Sequence, residues 1–87
     1  MIVIDEIRKL LNTDKIIIGT DRTLKLLRKG ELAKVFVSSN AEVEAKKDLE
    51  YYKKIGGVEV HALDVNNEEL GTICGKPFLV SVIGVKK

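Results

Sequence analysis

Residues 15–30, Lys-Ile-Ile-Ile-Gly-Thr-Asp-Arg-Thr-Leu-Lys-Leu-Leu-Arg-Lys-Gly, decide the fold class. A short apolar run, Lys15 to Ile18, is closed by Gly19 and reads as a buried strand. Thr20 can cap a helix. Leu24 and Leu27 give that helix a core stripe, Leu26 widens it, and Lys25, Arg28 and Lys29 fill the rest. Gly30 is placed to end it. A strand that turns directly into an amphipathic helix is the unit from which α/β layers are built.

The same alternation continues outward. Upstream, Val3, Ile4, Ile7, Leu10 and Leu11 recur at helical spacing, which predicts a helix over 3–12 ending near Asn12. Downstream, residues 35–38 predict a second strand. Ser39-Asn-Ala-Glu42 has the pattern of a capping box. A long helix follows, with Ala45, Leu49, Tyr52 and Ile55 on its apolar face and Gly56-Gly57 as its stop. Val58, Val60 and Ala62 alternate with Glu59 and His61 as a third strand. Asn66 or Asn67 can cap a short fourth helix, with Glu68 and Glu69 in its first turn. Residues 79–85 are the last strand. The order α-β-α-β-α-β-α-β predicts one domain over 1–87. Its expected form is a three-layer αβα sandwich, a four-stranded sheet, mostly parallel or mixed, with helices on both faces.

Composition narrows the function classes. The chain has 87 residues, 45% hydrophobic and 32% charged, a globular balance. A single cysteine excludes an internal disulfide framework and a four-cysteine zinc site. Asp5, Glu6, Arg8 and Lys9 interrupt the N-terminal apolar stretch, so it does not read as a signal peptide. A mature, soluble, cytoplasmic chain is expected. The net charge of +2 permits a nucleic-acid partner without demanding one.

Three segments carry candidate chemistry, each beside a plain structural reading. Gly19 through Lys25 puts a glycine and a helix start at a strand end, where free N–H groups bind phosphates or base edges. The alternative is an ordinary βα turn. Asn40, after the second strand, can read a base edge or phosphate, or simply cap the next helix. Gly71 to Gly75 followed by Lys76 imitates a phosphate-binding P-loop. That motif needs four residues between its glycines, then Lys and Ser or Thr. Here three intervene and Pro77 follows, so the P-loop is rejected. Phe78 in the remaining Lys-Pro-Phe loop can stack on a base or pack in the core. Cys74 reads as a small buried hydrophobe. A Cys74–His61 nucleophile, the enzymatic alternative, has both residues in unsuitable elements. No metal site, cofactor or catalytic group is expected.

Taken together, Gly19-Thr20, Thr23-Leu24-Lys25, Ser39-Asn40, Glu50-Tyr51-Tyr52, Glu69-Leu70-Gly71-Thr72 and Cys74-Gly75-Lys76 resemble the kink-turn RNA-binding ribosomal protein superfamily. Within it they are most similar to the L-thirty-e type of archaeal and eukaryotic large ribosomal subunits. The resemblance runs to Val85 and implies an αβα sandwich that binds RNA along one edge. It implies an RNA-binding set of Gly19, Thr20, Asp21, Arg22, Lys25, Asn40, Gly71, Lys76, Pro77 and Phe78, with the aromatic packing on RNA. The implied partners are a sharply bent ribosomal RNA loop with sheared G·A pairs, and other ribosomal proteins. The chain would be monomeric outside the ribosome. A stand-alone binder of a guide-RNA particle is the neighbouring reading. One position departs from the pattern. Lysine or asparagine usually follows Gly-Thr, and here it is Asp21. A carboxylate near RNA repels phosphates unless it accepts from a base amino group such as that of guanine.

Overall fold

The computed structural model describes residues 2–11 and 13–87, the first three of these by backbone. Asn12, where the first helix was expected to end, lies outside the described residues, as do the side chains of Val3 and Ile4. Eight elements alternate as expected: α1 (Ile2–Leu10), β1 (Ile16–Ile18), α2 (Thr20–Arg28), β2 (Leu32–Val37), α3 (Val43–Gly56), β3 (Glu59–Ala62), α4 (Asn67–Ile73) and β4 (Val82–Lys86).

The four strands form one sheet in the order β1-β4-β2-β3. β2 and β3 are parallel, joined by the crossover helix α3. β4 runs antiparallel to both β1 and β2, so the sheet is mixed, one of the two arrangements expected. Parallel neighbours require a crossover long enough to return the chain to its starting end. α4 has seven residues, about 10 Å of helix, and does not make that return. β4 therefore starts at the end of the sheet where β3 finishes.

Alternation along the strands builds a core on each face. Val35, Val37 and Val82 pack with Leu24 and Leu27 of α2 and Leu49 of α3. Phe36, Ile83 and Val85 point the other way, to Ile7 of α1 and Leu70 of α4. These are the three expected layers. Gly84 permits the close approach of α2. A Cβ there would lie 2.9 Å from Thr23 Cγ2 and 3.1 Å from Leu32 Cδ1. No described helix is long and apolar enough to cross a membrane.

Several boundaries differ from expectation, each for a physical reason. β2 begins at Leu32, not 35, because Lys34 is accommodated within the strand. Its ammonium meets Glu6 Oε1 of α1 at 2.7 Å, which raises its pKa chiefly through that hydrogen bond. β4 begins at Val82, not 79. Leu79 is exposed, and the Val80 N–H donates to the carbonyl of Asn67 instead of to a ladder partner. Ile55 is 63% exposed rather than on the apolar face of α3. The residue that continues the Ala45–Leu49–Tyr52 stripe is position 56, a glycine. The capping box at 39–42 does not form; Glu42 is the N-cap of α3 and makes no side-chain cap bond. α4 has one instead, with Asn66 Oδ1 accepting from the Glu69 N–H at 2.8 Å. α2 starts at Thr20, after Gly19, without a side-chain cap.

Candidate nucleic-acid interface

The register places the strand ends. Ile18 pairs with Ile83, and Val37 pairs with both Val82 and Ala62. The last residues of β1, β2 and β3 and the first of β4 therefore share one end of the sheet. Everything that follows them is loop or helix start at that end. Gly19 and α2 leave β1 there, Ser38 to Asn40 leave β2, Leu63 to Asn67 leave β3, and Lys76 to Ser81 lead into β4. The three sequence segments, separated along the chain, are brought together by topology.

The β1–α2 turn depends on its glycine. Gly19 has φ 121° and ψ 144°, a left-handed-side conformation that side chains rarely adopt. Its N–H donates to the Val82 carbonyl at 3.0 Å, which ties the turn to β4. Asp21, Arg22 and Lys25 are exposed on the first turns of α2. Between α2, β1 and the β4-leading loop lies a concavity of about 680 Å³. Ile17, Leu26 and Phe78 contribute apolar surface to it, and Arg22, Lys25, Lys29 and Lys76 contribute cations. The sequence marks Lys29 only as part of the polar side of α2. Its spacing of four from Lys25 was the available signal.

Asn40 neither caps α3 nor stands alone. Its Oδ1 accepts from the Asn67 backbone N–H at 2.8 Å and from the Ser38 hydroxyl at 3.3 Å. Its Nδ2 donates to Asn67 Oδ1 at 3.1 Å. Asn67 in turn donates from Nδ2 to Ser81 Oγ at 3.4 Å. Nothing local in the sequence marks Asn67 or Ser81, because their contacts join positions 27 and 14 apart in the chain.

Phe78 is 55% exposed, which removes its core reading. Lys76 and Pro77 are exposed beside it. Gly71 differs from the others: it is buried, and a Cβ there would run into the Phe78 carbonyl oxygen. It shapes the loop that carries Phe78. Cys74 is buried at the C-cap of α4. Burial pushes its thiol pKa up, against the opposing pull of Lys76. His61 is turned to the Glu59 carboxylate at 3.3 Å and stacks on Phe36. A buried thiol held protonated, with the imidazole engaged elsewhere, is a poor nucleophile pair. Among the described residues, no group of three or more His, Cys, Asp or Glu could hold a metal.

The chain is similar to known proteins in sequence and in fold. The large ribosomal subunit protein eL30 of Sulfolobus acidocaldarius is 42% identical over 80 residues, covering 92% of this chain and 77% of the relative. The eL30 protein of Methanocaldococcus jannaschii is 35% identical, covering 88% of this chain and 70% of the relative. In three dimensions the chain matches a Bacillus halodurans protein of unknown function with a TM-score of 0.83 and 25% identity, over 97% of this chain and 83% of the other. It matches a 15.5 kD RNA-binding protein of Giardia lamblia with a TM-score of 0.82 over 98% of this chain and 71% of the other; at 18% identity that likeness shows the fold alone. The model of the ribosomal protein L7Ae/L30e/S12e/Gadd45 family matches residues 2–87, and the chain belongs to that family.

Proposed function

We propose that this chain is a structural, non-enzymatic component of the large ribosomal subunit that binds a kink-turn-like bend in ribosomal RNA. One observation carries the reading: Gly19 to Lys25, Asn40 and Lys76 to Phe78 lie at one end of one sheet, with a half-exposed phenylalanine beside four cations. The similarity to archaeal proteins named for the large subunit supports the assembly. RNA is read by proteins at bulges and unstacked bases, where aromatic side chains stack and short polar side chains reach base edges. Phe78 supplies the stacking surface. Arg22, Lys25, Lys29 and Lys76 neutralise phosphates drawn together by the bend. Gly19 lets RNA approach the α2 N-terminus closely, with Thr20 beside it, and Pro77 stiffens the loop that carries Phe78. Asp21 accepts from a guanine amino group, the one base-pair donor of the minor groove. The chain acts as a monomer outside the assembly, in the cytoplasm.

The test is a titration with a kink-turn oligonucleotide followed by amide chemical shifts, together with co-sedimentation with large subunits at high salt. Shifts at Gly19 to Lys25, Asn40 and Lys76 to Phe78, with retention on the subunit, are expected. Shifts centred on 43–53 would overturn the interface. Binding to the oligonucleotide without co-sedimentation would transfer the chain to a free-standing RNA particle.

A further inference from the structure

We propose that Asn67 is the positioning residue of the interface, and that it leaves Asn40 able to act on RNA only as a hydrogen-bond donor. The proposal rests on the RNA-binding reading above and deepens it. An asparagine amide offers two donors and two acceptor lone pairs. Both lone pairs of Asn40 Oδ1 are taken, by the Asn67 backbone N–H and the Ser38 hydroxyl. One of its two N–H groups is taken by Asn67 Oδ1. Among the described residues, a single N–H remains without a partner. It can meet a purine N7 or O6, a ribose hydroxyl oxygen or a phosphate oxygen, and it cannot receive a base amino group. Two of the three internal bonds come from Asn67, one from its backbone and one from its side chain, so an amide flip would set donor against donor and acceptor against acceptor. The orientation of Asn40 is thereby determined by its partner.

Asn67 is also where three strand-end loops meet. Its carbonyl accepts from the Val80 N–H at 3.1 Å, and its Nδ2 donates to Ser81 Oγ at 3.4 Å. The Ser38 N–H donates to the Ser81 carbonyl at 2.8 Å, which closes the circuit. The loop bearing Phe78 and the loop bearing Asn40 thus hold a common register through the backbone and side chain of Asn67, beside the direct Ser38–Ser81 bond. Precise placement of reading groups before the ligand arrives removes an ordering cost from binding.

The experiment is a double-mutant cycle on the whole chain, with kink-turn RNA as the probe. Asn67→Ala should weaken binding about three- to tenfold, the fold-change corresponding to one lost oriented hydrogen bond. In an Asn40→Ala background the same change should add less than about twofold, because it acts through Asn40. A residue needed only for stability would give the same loss in both backgrounds. Equal affinity of Asn67→Ala and the original chain, or full additivity with Asn40→Ala, overturns the positioning role. Failure of the original chain to bind any kink-turn RNA overturns the functional reading instead. A measurement on the unmodified free protein gives a second check that needs no folded variant. The Asn40 side-chain amide should show an order parameter near that of rigid backbone, about 0.85, and a value below about 0.6 contradicts the clamp.

Discussion

The two ends of the sheet are closed by different means. At the far end, the turn from α2 into β2 is closed by backbone alone. The Gly30 N–H donates to the Leu27 carbonyl and the Glu31 N–H to the Leu26 carbonyl, both at 3.1 Å, with Gly30 at φ 73°. That is a Schellman motif, and it satisfies the last carbonyls of the helix without any side chain. At the interface end, side chains add to the backbone bonds: Ser38, Asn40, Asn67 and Ser81 bridge one loop to the next. A backbone closure leaves nothing to offer a ligand. A side-chain closure holds its geometry and keeps a spare donor, as Asn40 does. On the proposed function, the difference separates a part of the molecule that serves stability from a part that serves recognition, and each variant below tests whether the separation holds.

The two phenylalanines give the largest contrast. Phe36 is fully buried at the centre of the sheet. Phe36→Ala should cost roughly 3–5 kcal/mol of stability. Thermal or urea melting reads that loss, and RNA affinity per folded molecule should stay unchanged. Phe78→Ala should do the reverse, weakening RNA binding by about 1–3 kcal/mol while the melting curve moves by less than about 0.5 kcal/mol. Large destabilisation at Phe78 would erase the distinction between the two regions.

Asp21 sharpens the comparison within the interface end. Asp21→Lys should weaken binding by about 1–3 kcal/mol, because a guanine amino partner is lost. The original protein should bind a guanosine-to-inosine RNA, which lacks that amino group, more weakly as well. If Asp21 instead faces phosphates, the lysine variant binds more tightly at low salt and its salt dependence steepens. The smallest effect belongs to the far end. Gly30→Ala forces a side chain into the left-handed region and should cost about 1 kcal/mol of stability, with the RNA titration unmoved. A change of affinity there would mean that the two ends are coupled.

By itself the sequence determined the kind and order of the elements. Apolar spacing along residues 16–28 and 45–52 is a local property, and burial of one face is enough to choose helix or strand. Glycines at 19, 30, 57 and 75 adopt positive φ, where the chain needs freedom that other residues lack. The family resemblance was legible too, because it lies in short strings of residues. The tertiary structure alone decided what those strings touch. Whether a phenylalanine is core or surface is not written in its neighbours: Phe36 and Phe78 both follow or precede apolar residues, and only packing separated them. Lys34 inside a strand was unreadable until Glu6 arrived from α1. The fold set the Phe78 carbonyl against Gly71, a contact the sequence does not show. Asn40 looked like a cap for the helix next to it, and its partner proved to be Asn67, at the start of the helix after that. Such pairings depend on which strand ends come to lie side by side. That is settled by strand register and by the short crossover that turns β4 antiparallel, both non-local properties of the chain.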